Sequence, residues 1–280
     1  MKKIKKLGAL AAAGAFAAVL GLAGCSGGSS STTTSGSADT GSDAASTEMT
    51  LVTDGTLTVG TSAEYEPFEY MEDGEYKGFD LELIAAIADK LGLEVEYKNV
   101  DFDSLVAGVA SGTKYDCSIA AMTVTPERKE EIDFSDSYYS DDQAVVTLND
   151  NTTITADNYA DELNKDGVKI AVQSGSTAES FAKENFPNAE LVSFKNATDC
   201  FSALQANQAD ALVTNRSVAS QLTASSFDNC QTIKQISTGE EYAIAVSKDN
   251  PVLTEKINEA LQELTDDGTV DSLMEKYNVK

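Results

Sequence analysis

The sequence predicts an α/β fold of two similar lobes, each built on a mainly parallel sheet flanked by helices. From Met49 to Lys280, short apolar runs typical of strands alternate with amphipathic stretches typical of helices. Such alternation favours parallel sheets with helices on both faces. A strand, a loop rich in Gly, Ser and Thr, and a helix follow one another in both halves, which predicts two lobes of similar architecture.

The first half of this region has one helix that is especially well marked. Leu81, Ile84 and Ala88 fall on one helical face, and Gly92 follows as a C-terminal stop. We expect helices at 80–91 and 103–110, and strands at 57–61, 93–97 and 117–121.

The second half continues the same alternation to the end of the chain. We expect strands at 168–172, 191–194, 211–213 and 244–246. We expect helices at 177–186, 197–206, 216–223, 251–264 and 270–277.

The first 24 residues have the anatomy of a secretory signal peptide. Four lysines precede an apolar run at 7–22, and the small residues Ala23 and Gly24 lead to Cys25. This ending resembles the lipobox of bacterial lipoproteins, which implies cleavage before Cys25 and attachment of lipid, such as palmitate, to that residue. The alternative is an uncleaved anchor helix, for which the apolar run is short.

Residues 25–48 are predicted to be a disordered tether. This stretch is almost entirely Ser, Thr, Gly, Ala and Asp, without large apolar side chains. Such a composition cannot bury enough surface to offset the loss of chain entropy. The folded part would therefore begin near Met49.

The charge and composition exclude several functional classes. The chain has 46 acidic and 20 basic residues, with a formal net charge of −26, so it would repel nucleic acid. It has no His, which removes the usual general base, the Ser-His and Cys-His nucleophile systems and most zinc sites. We therefore expect neither a metal nor another cofactor.

Three cysteines remain once Cys25 is assigned to lipidation. Cys117 lies in an apolar run and is predicted to be a small core residue. A disulfide between Cys200 and Cys230 is permitted in an extracytoplasmic compartment, but the odd number of cysteines does not require one.

Several sequence blocks occur in the order found in one bacterial family. They are Val59-Gly60-Thr61, Tyr65-Glu66-Pro67-Phe68-Glu69-Tyr70, Gly78-Phe79-Asp80-Leu81, Met122 to Arg128, Ile132 to Ser135, Val172 to Glu179, Gln208 to Leu212, and Asp266 to Thr269 with Lys276-Tyr277. Each block alone is weak, but the ordered set covers about 50–280. The chain resembles the extracellular solute-binding proteins of bacterial ABC importers, of the polar amino-acid-binding type and in lipoprotein form.

This resemblance implies a periplasmic-binding-protein-like fold of type II. Its two lobes would be joined by a hinge of two crossing strands, with lobe 1 at 49–140 and 241–280 and lobe 2 at 141–240. The ligand would bind in the cleft between the lobes, where strand ends and helix starts converge.

The resemblance also implies a carboxylate-binding group. Arg128 matches the arginine that holds the ligand α-carboxylate by two parallel N–H bonds, and the hydroxyl and backbone N–H groups of Thr123 and Thr177 would complete the site. The alternatives are a surface arginine paired with glutamates and two threonines that only cap helices.

Further positions match residues that surround the rest of the ligand. Tyr65 and Phe102 resemble the residues that flank the ligand side chain, although both could be ordinary core residues. Ala121 stands, with Ala120, where the family often has Ser or Gly near the α-amine, so only backbone carbonyls could serve there.

Two positions depart from the family pattern. Asn215 stands where an Asp usually pairs with the ligand ammonium, and Ser62 stands where binders of basic amino acids tend to carry an acid. Both changes argue against a Lys- or Arg-type ligand. Glu64, Glu66 or Glu69 could supply a substitute charge, or the ligand could lack a free ammonium.

The resemblance predicts a non-enzymatic, monomeric receptor held by lipid at the outer face of the cell membrane. It would capture a small polar amino acid and deliver it to the permease subunits of an ABC importer. Two other classes remain open: an enzyme of the same fold, a cyclohexadienyl-type dehydratase that needs only carboxylates, and a sensor module for a signalling partner.

Overall fold

The computed structural model describes residues 49–279 of the protein. The predicted signal peptide at 1–24, the predicted tether at 25–48 and the predicted lipidation site Cys25 lie outside the described residues. No helix within 49–279 combines the length and apolar character needed to cross a membrane.

Strands and helices alternate along the described chain as the sequence predicts. The strands are β1 Thr56–Thr61, β2 Glu64–Tyr65, β3 Glu69–Glu72, β4 Glu75–Lys77, β5 Glu94–Asn99, β6 Cys117–Ser118, β7 Asp133–Leu148, β8 Lys169–Gln173, β9 Glu190–Phe194, β10 Ala211–Asn215 and β11 Cys230–Val246. The helices are α1 Phe79–Leu91, α2 Leu105–Ala110, α3 Pro126–Glu131, α4 Tyr159–Leu163, α5 Thr177–Asn185, α6 Ala197–Gln205, α7 Arg216–Ser225, α8 Pro251–Asp266 and α9 Thr269–Lys276. A 3₁₀ turn, Phe102–Ser104, precedes α2.

One eight-stranded sheet runs through the molecule in the order β5-β1-β6-β11-β7-β10-β8-β9. Its two ends are parallel, because β1 pairs in parallel with β5 and β6, and β8 pairs in parallel with β9 and β10. The middle is antiparallel, where the long strands β7 and β11 pair with each other. The α/β class and the two parallel portions are confirmed.

The strands β7 and β11 have the geometry expected of a two-strand hinge. They pair from Asp133↔Val246 at one end to Leu148↔Cys230 at the other, with register shifts between Ile236 and Glu240 and around Ala243. The lobe boundaries predicted from the sequence fall in the middle of these strands, where Asp141 lies opposite Glu240.

Helix α1 forms as its apolar pattern predicts. Leu81, Ile84, Ile87 and Ala88 are buried on one face. Gly92 then adopts a left-handed conformation with φ of 69° and donates to the last carbonyls of the helix. A residue with a side chain would adopt this φ less readily, which explains the glycine.

The strand expected at 117–121 is shorter than predicted. It ends at Ser118, and the chain leaves the sheet before Ala121, which has φ of 45°. The backbone N–H of Ala121 donates to Asp80 Oδ2 at 2.7 Å instead of to a neighbouring strand. A buried carboxylate therefore replaces the sheet partner at this point.

The three cysteines of the described region are buried and free. Cys117 is a core residue, as predicted. The Cys200–Cys230 disulfide that the sequence permits is not formed.

Two carboxyl groups, Glu69 and Asp80, lie buried in the core beneath the Ala121 turn. Asp80 Oδ2 accepts hydrogen bonds from Ala121 N and Tyr138 OH, both at 2.7 Å. Neither oxygen of Glu69 has a hydrogen-bond partner among the described residues. Burial raises the pKa of Asp80 to about 7. Burial, and secondarily the charge of Asp80, raise the pKa of Glu69 well above its usual range.

We expect Glu69→Gln to weaken the pH dependence of stability. Both carboxyls bind protons more tightly in the folded chain, so the free energy of unfolding falls as pH rises. For Asp80, this loss of stability begins near pH 3.8, the usual pKa of Asp, and is complete above about pH 7, its pKa in the folded chain. Each group contributes a slope of up to about 1.4 kcal/mol per pH unit. Urea unfolding followed by circular dichroism between pH 4 and 8 measures the slope.

The matched control is Glu75→Gln, which changes an exposed glutamate of the same small sheet, β2-β3-β4. This variant should keep the wild-type slope. A Glu69→Gln variant that also keeps the wild-type slope would contradict the account of the buried pair.

Candidate functional site

Seven of the predicted ligand-binding residues line one small cavity between the two ends of the sheet, which we call the inner cavity. Its walls are Tyr65, Phe102, Ala120, Ala121, Thr123, Arg128, Gln173, Ser176, Thr177 and Asn215. They come from both predicted lobes. Of the predicted residues, Ser62 is not in this lining: it is buried, and its carbonyl accepts the N–H of Glu64 at 2.8 Å.

The inner cavity is narrow, and a wider cleft opens outside it. The inner cavity has an accessible volume of only about 10 Å³, which is roughly the space for one water molecule. The outer cleft offers about 740 Å³ and shares Arg128, Ser176 and Thr177 with the inner cavity. An amino acid therefore reaches the inner cavity only if its walls move apart.

The two predicted threonines are not helix caps. The side chain of Thr125 caps α3 by accepting from Arg128 N, and Ser176 caps α5 by accepting from Glu179 N. Since these neighbours satisfy the helix N-termini, the hydroxyls of Thr123 and Thr177 are available for other partners.

Arg128 extends from α3 across the cleft. Its Nη1 donates to the carbonyl of Thr123 at 2.6 Å, and its Nη2 donates to the carbonyl of Gly175 at 3.0 Å. The guanidinium lies 5.4 Å from the centre of the Phe102 ring. Burial lowers the pKa of Arg128 from its usual value, and the carboxylate of Glu240 opposes that shift. The group stays charged, because arginine does not lose its proton in proteins.

Tyr65 and Asn215 meet in the wall of the inner cavity. The hydroxyl of Tyr65 donates to Asn215 Oδ1 at 2.7 Å. Burial raises the pKa of the Tyr65 hydroxyl, which therefore remains a donor at neutral pH. Tyr65 also packs in the hydrophobic core, so the core and cleft interpretations both apply to it.

The structure adds a residue that the sequence analysis did not single out, Glu240 of β11. Its carboxylate is held by five side-chain hydrogen bonds. Oε2 accepts from Thr123 Oγ1 at 2.6 Å, Thr177 Oγ1 at 2.7 Å and Asn215 Nδ2 at 3.2 Å. Oε1 accepts from Gln143 Nε2 at 2.5 Å and Thr238 Oγ1 at 3.3 Å.

The three glutamates considered from the sequence have other partners or places. Glu64 accepts a hydrogen bond from Thr198, and Glu66 accepts one from Gln221. Glu69 is buried beside Asp80. The carboxylate that reaches Asn215 is instead that of Glu240.

Polar contacts join the predicted lobes around the inner cavity. Lys195 contacts Asp103 at 2.7 Å and Asp101 at 3.3 Å, and Ser174 Oγ donates to Asp103 at 3.0 Å. Together with the bond from Arg128 to Gly175, these contacts hold the cleft closed. Among residues 49–279, no cluster of three or more His, Cys, Asp or Glu side chains is arranged to hold a metal ion.

Comparison with known proteins gives a consistent result. Residues 57–280 match the model of the bacterial extracellular solute-binding proteins, family 3. The arginine-binding extracellular protein ArtP of Bacillus subtilis (strain 168) is 33% identical over 252 residues, which cover 88% of this chain and 91% of ArtP.

Solved structures agree with the sequence relatives. An ancestral arginine-binding protein, solved once with arginine and once with glutamine, is 40% identical and has a TM-score of 0.74, over 80% of this chain and 98% of that protein. An ancestral amino acid-binding protein, described as a precursor of cyclohexadienyl dehydratase, is 37% identical with a TM-score of 0.74, over 80% and 95% of the two chains.

These matches confirm the type II periplasmic-binding-protein-like fold predicted from the motifs. The protein belongs to the bacterial extracellular solute-binding proteins, family 3, and its relatives are amino-acid-binding proteins of ABC transporters.

Proposed function

We propose that this protein is a lipid-anchored, non-enzymatic receptor that captures a small polar amino acid in its inner cavity and delivers it to an ABC permease. The observation that carries the proposal is the convergence of Arg128, Thr123 and Thr177 from both predicted lobes on one cavity beside Tyr65 and Phe102. A charged donor, hydroxyl donors and aromatic walls in one cavity suit an α-amino acid.

Arg128 supplies the carboxylate subsite. Its guanidinium lies over Phe102 and donates to the carbonyl of Thr123 on the same predicted lobe, so its direction is constrained before a ligand arrives. A guanidinium fixed in this way binds a carboxylate at little further cost in side-chain entropy. The hydroxyls of Thr123 and Thr177 lie beside it and can donate to the same carboxylate.

Binding is coupled to movement of the lobes. The inner cavity is too small for an amino acid in the closed arrangement, so the ligand enters through the outer cleft when β7 and β11 flex. The lobes then close around the ligand, with Lys195 able to pair again with Asp103 across the cleft. The permease binds the closed form of the protein, and its higher affinity for that form drives delivery of the ligand.

A neutral ligand side chain fits the charges of the site. Among the described residues that line the inner cavity, Arg128 is the only charged one, and Ser62 and Asn215 are neutral where the family tends to have acids. A cationic side chain would be buried without a partner of its own.

The alternative function is a dehydratase of the same fold. It is favoured by the similarity to an ancestral protein described as a precursor of cyclohexadienyl dehydratase. That ancestral protein is itself described as amino acid-binding. Turnover of a cyclohexadienyl acid by this protein would support the enzyme and contradict the receptor.

Arg128→Ala should weaken amino-acid binding by roughly 2–5 kcal/mol, because the ligand carboxylate would be buried without its partner. Arg128→Lys should also weaken binding, since Lys keeps the charge but loses the two parallel donors. Calorimetry with the amino acid that binds tightest measures both. Lys129→Ala, an exposed neighbour on α3, is the control and should bind as wild type does. An Arg128→Ala variant within a few-fold of wild type would remove Arg128 from the site.

Among the common amino acids, one with a neutral polar side chain should bind tightest. Arg and Lys should bind at least about tenfold more weakly, since an unpaired buried cation costs several kcal/mol. A thermal-shift screen followed by calorimetry ranks the ligands. A protein that binds Arg or Lys tightest would contradict the proposed ligand class.

Cys25→Ala should release the protein from the membrane. The two or three acyl chains of a lipoprotein anchor it stably, and without Cys25 none would be attached. Cell fractionation measures the membrane-bound share, with Ser26→Ala as the control that should stay bound. A Cys25→Ala protein that remains with the membrane would contradict lipid anchoring at this residue.

A further inference from the structure

Glu240 places a carboxylate at the meeting point of the predicted ligand contacts. It accepts hydrogen bonds from Thr123, Thr177 and Asn215, three residues that line the inner cavity. Its position depends on the hinge strand β11, which has a register shift between Ile236 and Glu240 and a left-handed Gly239 with φ of 63°. The shift directs Glu240 toward the cleft, opposite Asp141 of β7.

If the ligand has an ammonium group, the charges of the site require an acidic side chain close to Asn215. An α-amino acid brings one negative and one positive charge, and Arg128 balances the negative one. Asn215 offers an amide oxygen, which already accepts from Tyr65, but no negative charge. A buried ammonium without a charged partner would cost several kcal/mol, so a nearby carboxylate is needed. Glu240, bonded to Asn215, is that carboxylate.

The hydrogen bonds of Glu240 allow an exchange of partners. The hydroxyls of Thr123 and Thr177 now donate to Oε2 and can rotate toward a ligand carboxylate held by Arg128. An ammonium has three N–H donors and can replace the two hydroxyls on Glu240, while Gln143 and Asn215 stay bonded to it.

Gln143, another hydrogen-bond partner of Glu240, has an acceptor that is unsatisfied within residues 49–279. Gln143 donates through Nε2 to Glu240, while its Oε1 is buried and has no donor among the described residues. A buried acceptor without a donor is costly, so the polar cluster around Glu240 is not fully satisfied by the described residues in the closed arrangement.

We propose that Glu240, on the hinge strand β11, binds the ligand ammonium and determines specificity in this protein. It takes the role that an Asp at position 215 would have, which is to pair with the ammonium. The inference rests on the proposed function, since it assigns a role within the same site. It implies that the ligand carries a free, protonated α-amine. The hinge strand then takes part directly in ligand recognition.

The test compares each common L-amino acid that binds the full-length protein with its α-hydroxy acid, in which a hydroxyl replaces the ammonium. We expect Glu240→Gln to weaken amino-acid binding at least about tenfold and to change hydroxy-acid binding less than threefold. Glu241→Gln, the exposed neighbour on β11, is the matched control and should leave both affinities unchanged. Asn215→Asp with Glu240→Gln should restore amino-acid binding, because the acid returns to the other side of the same hydrogen bond.

Other results would overturn the inference. Glu240→Gln binding that stays within threefold of wild type would remove Glu240 from recognition. Tighter binding would mean that Glu240 imitates the ligand carboxylate and competes with it. If Glu240→Gln does not fold, Glu240→Asp decides, because it keeps the charge but withdraws the carboxylate by one methylene: it should weaken amino-acid binding more than hydroxy-acid binding, and an equal effect on both contradicts the inference. A wild-type protein that binds no common amino acid would contradict the proposed function as well.

Discussion

The site depends on how β7 and β11 pair through the middle of the molecule. These two strands join the parallel sheet portions at either end, and they carry Gln143 and Glu240, two of the polar side chains that meet between those portions. Because the pairing is antiparallel and irregular at its centre, it bends there and lets side chains point into the cleft instead of into a sheet face. The same strands therefore set the position of the lobes and the contents of the space between them.

The charges at the inner cavity are nearly balanced, although the chain as a whole is strongly acidic. The protein has 46 acidic and 20 basic residues, yet the inner cavity is lined by one cation, Arg128, with the carboxylate of Glu240 close by. Salt screens the surface field beyond about 8 Å at physiological strength, whereas groups inside the closed cleft are screened much less. In the proposed function, selection of a ligand is consequently decided by these few groups rather than by the net charge.

Local patterns predicted the fold well, and long-range geometry accounts for what they missed. Helix α1 and its Gly92 stop follow from residues a few positions apart, so the sequence is sufficient to predict them. The early end of β6 depends on Asp80, which is far from Ala121 in sequence and takes its N–H. Glu240 was missed for the same kind of reason: it lies in a polar stretch without clear alternation, and a register shift gives it its direction. Family motifs pointed to Arg128, Thr123, Thr177 and Asn215, which line the inner cavity, and to Ser62, which is not in its lining.

The buried thiols link the folding of this protein to its redox chemistry. Burial raises the pKa of Cys117, Cys200 and Cys230, and the thiolate is the form that reacts with oxidants and disulfides. The folded protein can therefore keep free cysteines in an oxidising environment without a disulfide to protect them. An unfolded chain exposes all three, so oxidation and mispairing compete with folding outside the cytoplasm. The reactivity of these thiols thus distinguishes folded molecules, in which they are buried, from unfolded ones.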